Sequence, residues 1–122
     1  MSETNAIVEI LRHQGAVPFV TTNIPQTMMV WDSGNPIFGY TNSPYSRDRS
    51  AGGSSGGEGA LIAGGGSLLG WGSDIGGSIR IPCCFNGIYG LKPTAERITM
   101  KGVFKLGLGQ ITSEQLFIMS AP

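Results

Sequence analysis

Three serines set among glycines carry the chemical interest of this 122-residue chain. Ser54 and Ser55 stand in GGSSGGEG, residues 52–59, and Ser78 stands in DIGGSIR, residues 74–80. A serine hydroxyl is a weak nucleophile until a base within hydrogen-bond reach withdraws its proton. Glycine supplies the other half of an acyl-transfer site. It accepts positive φ angles, so consecutive N–H groups can converge on one point and hold an anion. Amide hydrolysis turns a carbonyl oxygen into an oxyanion, and preorganised N–H donors stabilise it. The amides of Ile75, Gly76, Gly77 and Ser78 are the candidate oxyanion hole. Gly76 and Gly77 are small enough to let a substrate carbonyl approach the backbone, and Ser78 is the candidate nucleophile at a helix start.

Rival readings of these motifs weaken on inspection. A Gly/Ser linker lacks the apolar and charged punctuation found here at Glu58, Leu61, Ile62, Trp71, Asp74, Ile75 and Arg80. Residues 53–57 satisfy G-x-S-x-G with Ser55 as nucleophile, but that fold needs a histidine after the serine, and His13 precedes it. Ser-x-x-Lys pairs, GxxxxGK[ST] and GxGxxG are absent, which leaves a phosphate loop unsupported. Metal-ligand spacing is absent too, and His13 has no co-ligands in the sequence. Neither a metal nor another cofactor is expected.

Eight basic and eight acidic residues cancel, so nucleic acid is not an expected partner. Charged residues make up 13% of the chain, and glycine is abundant. Such a composition suits the interior of a larger enzyme better than a self-contained domain. Cys83 and Cys84 are sequence neighbours and do not reach ordinary disulfide geometry, which argues for a reduced compartment. The N-terminal stretch is too weakly apolar for a signal peptide. No apolar run approaches the ~20 residues that span a bilayer. The expected location is intracellular, cytoplasmic or membrane-associated at the periphery.

Residues 4–14 read as a helix. Thr4 is its N-cap, Ile7, Ile10 and Leu11 form its apolar face, and Gly15 stops it. Ala16 to Val20 reads as a short buried strand. Residues 26–31 suit a short helix behind Pro25, and residues 33–50 read as loop. Ala60 to Ala63 suit a buried helix whose N-terminus points at the serine nest, with Glu58 near its positive end. Gly64 to Gly66 end it. Leu68 to Trp71 then form a strand, 73–77 a turn, 78–86 a short helix and Ile88 to Leu91 a further strand. Alternating helix and strand predicts an α/β layered fold with a mixed, mostly parallel sheet. The sequence contains no internal repeat and no domain boundary.

The two-part GGSSGGEG…DIGGSIR signature resembles the amidase-signature serine hydrolases, and within them the fatty acid amide hydrolases. The likeness extends through LRHQGAVPFV at 11–20, NIPQ at 23–26, NPIFG at 35–39 and GIYGLKPT at 87–94, covering roughly Ile7 to Lys105. The resemblance implies that residues 1–122 are the single, incomplete central segment of an amidase-signature domain. It also implies a Ser–Ser–Lys mechanism without metal. Ser78 attacks, Ser54 relays its proton to a lysine held neutral by burial, and Ser55 supports the loop. Asp74 and Arg80 brace the turn, with a plain loop ion pair as the alternative to a catalytic role.

By the same resemblance the substrates are long-chain fatty acyl amides, cleaved to free acid and amine. Met28 falls on the acyl channel, where flexible methionine suits a greasy tunnel, and Met29 is assigned to core packing. The family's base lysine lies upstream of the serine pair, yet the first 91 residues contain no lysine. Lys92, Lys101 and Lys105 follow Ser78 and match no base position. Two expectations result. One is an amidase segment with little activity alone. The other is an inactive fragment that pairs with a full-length homologue, or with itself as a homo-oligomer, and regulates it.

Overall fold

The computed structural model describes residues 5–103 and the strand at 116–120. The expected Thr4 cap, Lys105 and most of the stretch from 107 to 122 lie outside the described residues. The first element is α1, Ala6–His13. Its cap is Asn5, whose side-chain oxygen accepts from the Ile7 amide at 2.9 Å. A short polar side chain thereby satisfies one of the free first-turn N–H groups.

Two expectations for the next stretch need correction. Ala16 to Val20 is not a buried strand: Val17 and Phe19 are 80% and 65% exposed, and the run has no ladder partner among the described residues. A β-branched run becomes a strand only when a neighbour takes its N–H and C=O groups. The helix expected over 26–31 is a single 3₁₀ turn, Gln26–Met28, behind Pro25. Thr27 and Met28 have φ of 67° and 57°, values that a right-handed helix does not accommodate.

Residues 33–50, expected as loop, form two small antiparallel hairpins. β1 (Gly34–Asn35) pairs with β2 (Gly39–Tyr40), and β3 (Asn42–Ser43) pairs with β4 (Ser46–Ser50). Strands this short and polar carry no alternation that a pattern reading can find.

From the serine pair onward, expectation and structure agree closely. α2 (Gly56–Ala63) ends at Gly64 and is followed by β5 (Leu69–Ser73). α3 spans Arg80–Asn86 and closes on Gly87 in the left-handed region, φ 64°, as helix ends commonly do. Ser78 lies just ahead of α3 rather than inside it. β6 (Tyr89–Gly90) and β7 (Leu116–Ser120) complete a three-stranded sheet of order β5-β7-β6. Its register runs from Leu69↔Ser120 to Ser73↔Leu116 on one side, with Tyr89↔Ser120 and Gly90↔Met119 on the other. The layered helix-and-strand reading holds. The mostly parallel pairing does not hold among the described residues, where every pair is antiparallel. β5 and β6 run the same way, as a strand–helix–strand crossover requires, but β7 sits between them.

The core lies where α2 and α3 meet the sheet: Ile62, Ile79, Cys83 and Ile88, with Ala63 packed against them. Burying an isoleucine side chain contributes about 1.5–3 kcal/mol, so Ile62 and Ile79 hold the two helices together. Gly59 permits the close approach, since a Cβ there would stand 3.0 Å from Pro82 Cβ. Among the described residues, no helix is long and apolar enough to cross a membrane.

Candidate active site

The serine loop runs from β4 into α2 and is anchored by hydrogen bonds at both of its ends. Ala51 N–H donates to Thr41 O at 3.1 Å, and Ala51 O accepts from the buried Asn86 amide at 2.8 Å. Ser54 O accepts from Ser33 Oγ at 3.1 Å, and the same hydroxyl accepts from Gly56 N–H at 2.8 Å. Gly57 N–H donates to Asn23 O at 3.1 Å. The Gly53–Ser54 peptide is cis. Glycine is required at Gly53 and Gly57, where a Cβ would sit 2.0 Å from Asp32 O and 2.4 Å from Asn23 N.

The second loop, between β5 and α3, is organised by Asp74. Its Oδ1 accepts from Gly77 N–H at 2.7 Å and from the Arg80 guanidinium at 2.8 Å. Its Oδ2 accepts from the amides of Ile79 and Arg80 at 3.0 and 3.2 Å, and from Arg80 Nε at 3.0 Å. Burial by itself raises the Asp74 carboxyl. The hydrogen bonds from Arg80, Gly77 and Ile79 outweigh it and hold the group well below the usual carboxylate range. The same pairing raises Arg80.

The Gly77 amide is therefore spent on Asp74. Among the described residues, the amides of Ile75, Gly76 and Ser78 donate to nothing. Of the four expected oxyanion donors, these three remain open.

The two loops meet through the backbone: Ser55 N–H donates to Ser78 O at 3.2 Å, and Ser55 Oγ donates to Ser73 O at 3.4 Å. Ser54, Ser55, Ile75, Gly76 and Ser78 line one cavity of about 440 Å³. Ser54 and Ser78 are buried. Among the described residues neither hydroxyl is committed to a hydrogen bond, and the two are not bonded to each other. Gly77, Asp74 and Arg80 are not on the cavity wall. The apolar side of the wall is Ile24, Met28, Met29, Val30 and Trp31. Met28 lines the serine cavity. Met29 does too, and at 56% exposed it is not a core residue; the left-handed turn at Thr27 and Met28 carries it outward.

Several residues that organise the site escaped the sequence reading. Ser33 and Asn23 clamp the serine loop from outside it. Glu58 does more than favour a helix N-terminus: it accepts from Thr22 Oγ at 2.7 Å and from Trp71 N–H at 3.1 Å, tying the cavity wall to β5. The available signal was a concentration of turn-forming Asn23, Asp32, Ser33 and Asn35. No lysine or histidine is among the residues lining the cavity, and the described residues contain no group of three metal-ligating side chains.

Comparison with known proteins converges on one group. The family model described as Amidase matches residues 2–115. The Vitamin D3 hydroxylase-associated protein of Gallus gallus is 61% identical over 101 residues, covering 83% of this chain and 22% of that protein. The Fatty-acid amide hydrolase 1 of Sus scrofa is 57% identical over 105 residues, covering 86% and 18%. A solved Fatty acid amide hydrolase superposes with a TM-score of 0.90 at 45% identity, covering 95% of this chain and 21% of that one. The chain thus spans roughly a fifth of the length of these relatives.

Proposed function

The chain belongs to the amidase family, and on that premise we propose that it carries the nucleophile, the bridging serine and the oxyanion donors of a fatty acyl amide hydrolase. Residues 1–122 are read as the part of an amidase domain that bears both serine loops. The observation that carries the reading is that Ser54 and Ser78 line one cavity beside three uncommitted amides.

In the proposed reaction, Ser78 Oγ attacks the amide carbonyl carbon. Its proton passes to Ser54 Oγ, which gives its own proton to a neutral lysine. The carbonyl oxygen, now an oxyanion, takes hydrogen bonds from Ile75, Gly76 and Ser78 N–H, donors that need no rearrangement at the moment of attack. Running the relay backwards protonates the amide nitrogen, the C–N bond breaks, and amine leaves. Water then cleaves the acyl-serine to free acid. The described lysines are not on the cavity wall, so the base is assigned to polypeptide outside the described residues. Removing one member of a catalytic unit abolishes most turnover while oxyanion binding leaves a remnant. The 122 residues alone are therefore expected to turn over an oleoyl amide weakly or not at all.

The acyl preference is assigned to the wall formed by Ile24, Met28, Met29, Val30 and Trp31. Acylation by p-nitrophenyl esters tests it. A long-chain ester should acylate faster than the acetate, and Ser78→Ala should abolish both bursts. Equal rates for the two esters, or a burst that survives Ser78→Ala, would refute the reading.

One observation favours a second reading, an inactive unit that pairs with a full-length homologue. Large apolar side chains lie open, among them Ile37 at 81% and Leu68 at 88% exposure, and such surface seeks a partner. Co-purification with an intact homologue at fixed stoichiometry supports that reading; a monomer that ignores the homologue counts against it.

A further inference from the structure

We infer that Ser33 is a positioning residue for Ser54, its hydroxyl fixing the peptide groups on both sides of Ser55, the first of which carries the Ser54 carbonyl; the inference rests on the proposed role of Ser54 as the bridge between Ser78 and the base. Ser33 is fully buried. Its hydroxyl donates to Ser54 O at 3.1 Å and accepts from Gly56 N–H at 2.8 Å, so one side chain spans the peptide groups that flank Ser55.

Ser33 is itself immobilised. Its amide donates to Asp32 Oδ1 at 2.8 Å, and its carbonyl accepts from Thr41 N–H at 2.8 Å. The Asp32 carboxylate also takes the Ser50 hydroxyl, which joins Ser33 to the strand that leads into the loop. The fit leaves no slack: a Cβ at Gly56 would stand 2.4 Å from Ser33 Oγ. A hydroxyl both donates and accepts, and this position uses both capacities. Alanine offers neither. A thiol of similar size offers both weakly.

Mispositioning a relay group by a fraction of an ångström costs rate without requiring that the fold be lost. The loss should therefore appear in the reactivity of Ser78, which needs Ser54, and at Gly56, which needs Ser33. Two readouts on wild type, Ser33→Ala and Ser33→Cys decide the matter. One is the rate at which a fluorophosphonate labels Ser78, normalised to the folded fraction. The other is amide hydrogen exchange at Gly56, with Gly57, which donates to Asn23 instead, as internal reference.

The expected result is labelling slower by about tenfold or more in Ser33→Ala, intermediate in Ser33→Cys, with faster exchange at Gly56 and unchanged exchange at Gly57. Labelling and Gly56 exchange at wild-type levels in the variants would overturn the inference. So would equal acceleration at Gly56, Gly57 and throughout the chain, which describes general loosening. If Ser33→Ala does not fold, Ser33→Cys carries both readouts. If wild type is not labelled at Ser78, the functional reading fails, while Gly56 exchange still judges Ser33.

Discussion

Ser55 N–H donates to Ser78 O at 3.2 Å, and through this bond the two serine loops share one backbone frame. The residues joined belong to different elements: Ser55 caps α2, and Ser78 precedes α3. Because α2 and α3 are packed through Ile62, Ile79 and Cys83, the spacing of the loops is set by the core. The loop that positions Ser54 and the loop that carries Ser78 are therefore held to each other.

Asp74 should matter far more to stability than Arg80. The carboxylate is fully buried and takes three backbone amides, whereas the Arg80 side chain is 55% exposed. Asp74→Ala strands those amides and is expected to cost about 3 kcal/mol. Arg80→Ala is expected to cost about 1 kcal/mol or less. Urea melts at neutral pH should show that order; equal losses would contradict it.

The same carboxylate fixes a pH dependence. Its folded value is depressed, so its stabilisation is complete above the unfolded value of about 3.9. It is lost as pH falls below that toward the folded value. The stability gap between wild type and Asp74→Ala should be constant near neutrality and should narrow below about pH 4. A gap that widens with acid would contradict the assignment.

Two glycines should fail for opposite reasons. A Cβ at Gly57 would meet Asn23 backbone at 2.4 Å, whereas a Cβ at Gly76, a residue of the cavity wall, meets nothing within 4 Å. Gly57→Ala should therefore destabilise the fold by about 1–3 kcal/mol or more. Gly76→Ala should melt with wild type yet obstruct a carbonyl entering the oxyanion site. Thermal melts alongside fluorophosphonate labelling separate the two; a folded, fully reactive Gly76→Ala protein would count against the assigned hole.

Neighbouring cysteines should differ in reactivity. Cys83 is buried, and burial, followed by the charges of Asp74 and Cys84, pushes its thiol up to about 11. Cys84 is exposed. Iodoacetamide under native conditions should modify Cys84 and spare Cys83, as peptide mass mapping would report. Modification of Cys83 at an equal rate would mean that the α2–α3 core opens readily.

Much of the site was legible because glycine and serine in fixed spacing constrain the backbone directly. α2, β5 and α3 follow from apolar runs punctuated by glycine, and Met28 was assigned to the cavity from resemblance. What escaped was contributed from a distance. Ser33 and Asn23 act through polar contacts with residues far along the chain, and such contacts leave no periodicity. The strand expected at Ala16 to Val20 failed because propensity without a ladder partner does not make a strand. Among the described residues β5 and β6 run the same way without pairing, because β7, arriving from far along the chain, lies between them. Gly77 N–H donates to Asp74, three positions earlier, a local contact that the glycine pattern does not announce.

Ser78 is proposed as the nucleophile of a preformed site. That role is tested most directly by intact-mass and peptide analysis after fluorophosphonate treatment of the folded chain, with Ser78→Ala and Ser54→Ala alongside. A single slow adduct is expected on Ser78, absent in Ser78→Ala and slower still in Ser54→Ala. An adduct on Ser55, or one that persists undiminished in Ser78→Ala, would contradict it.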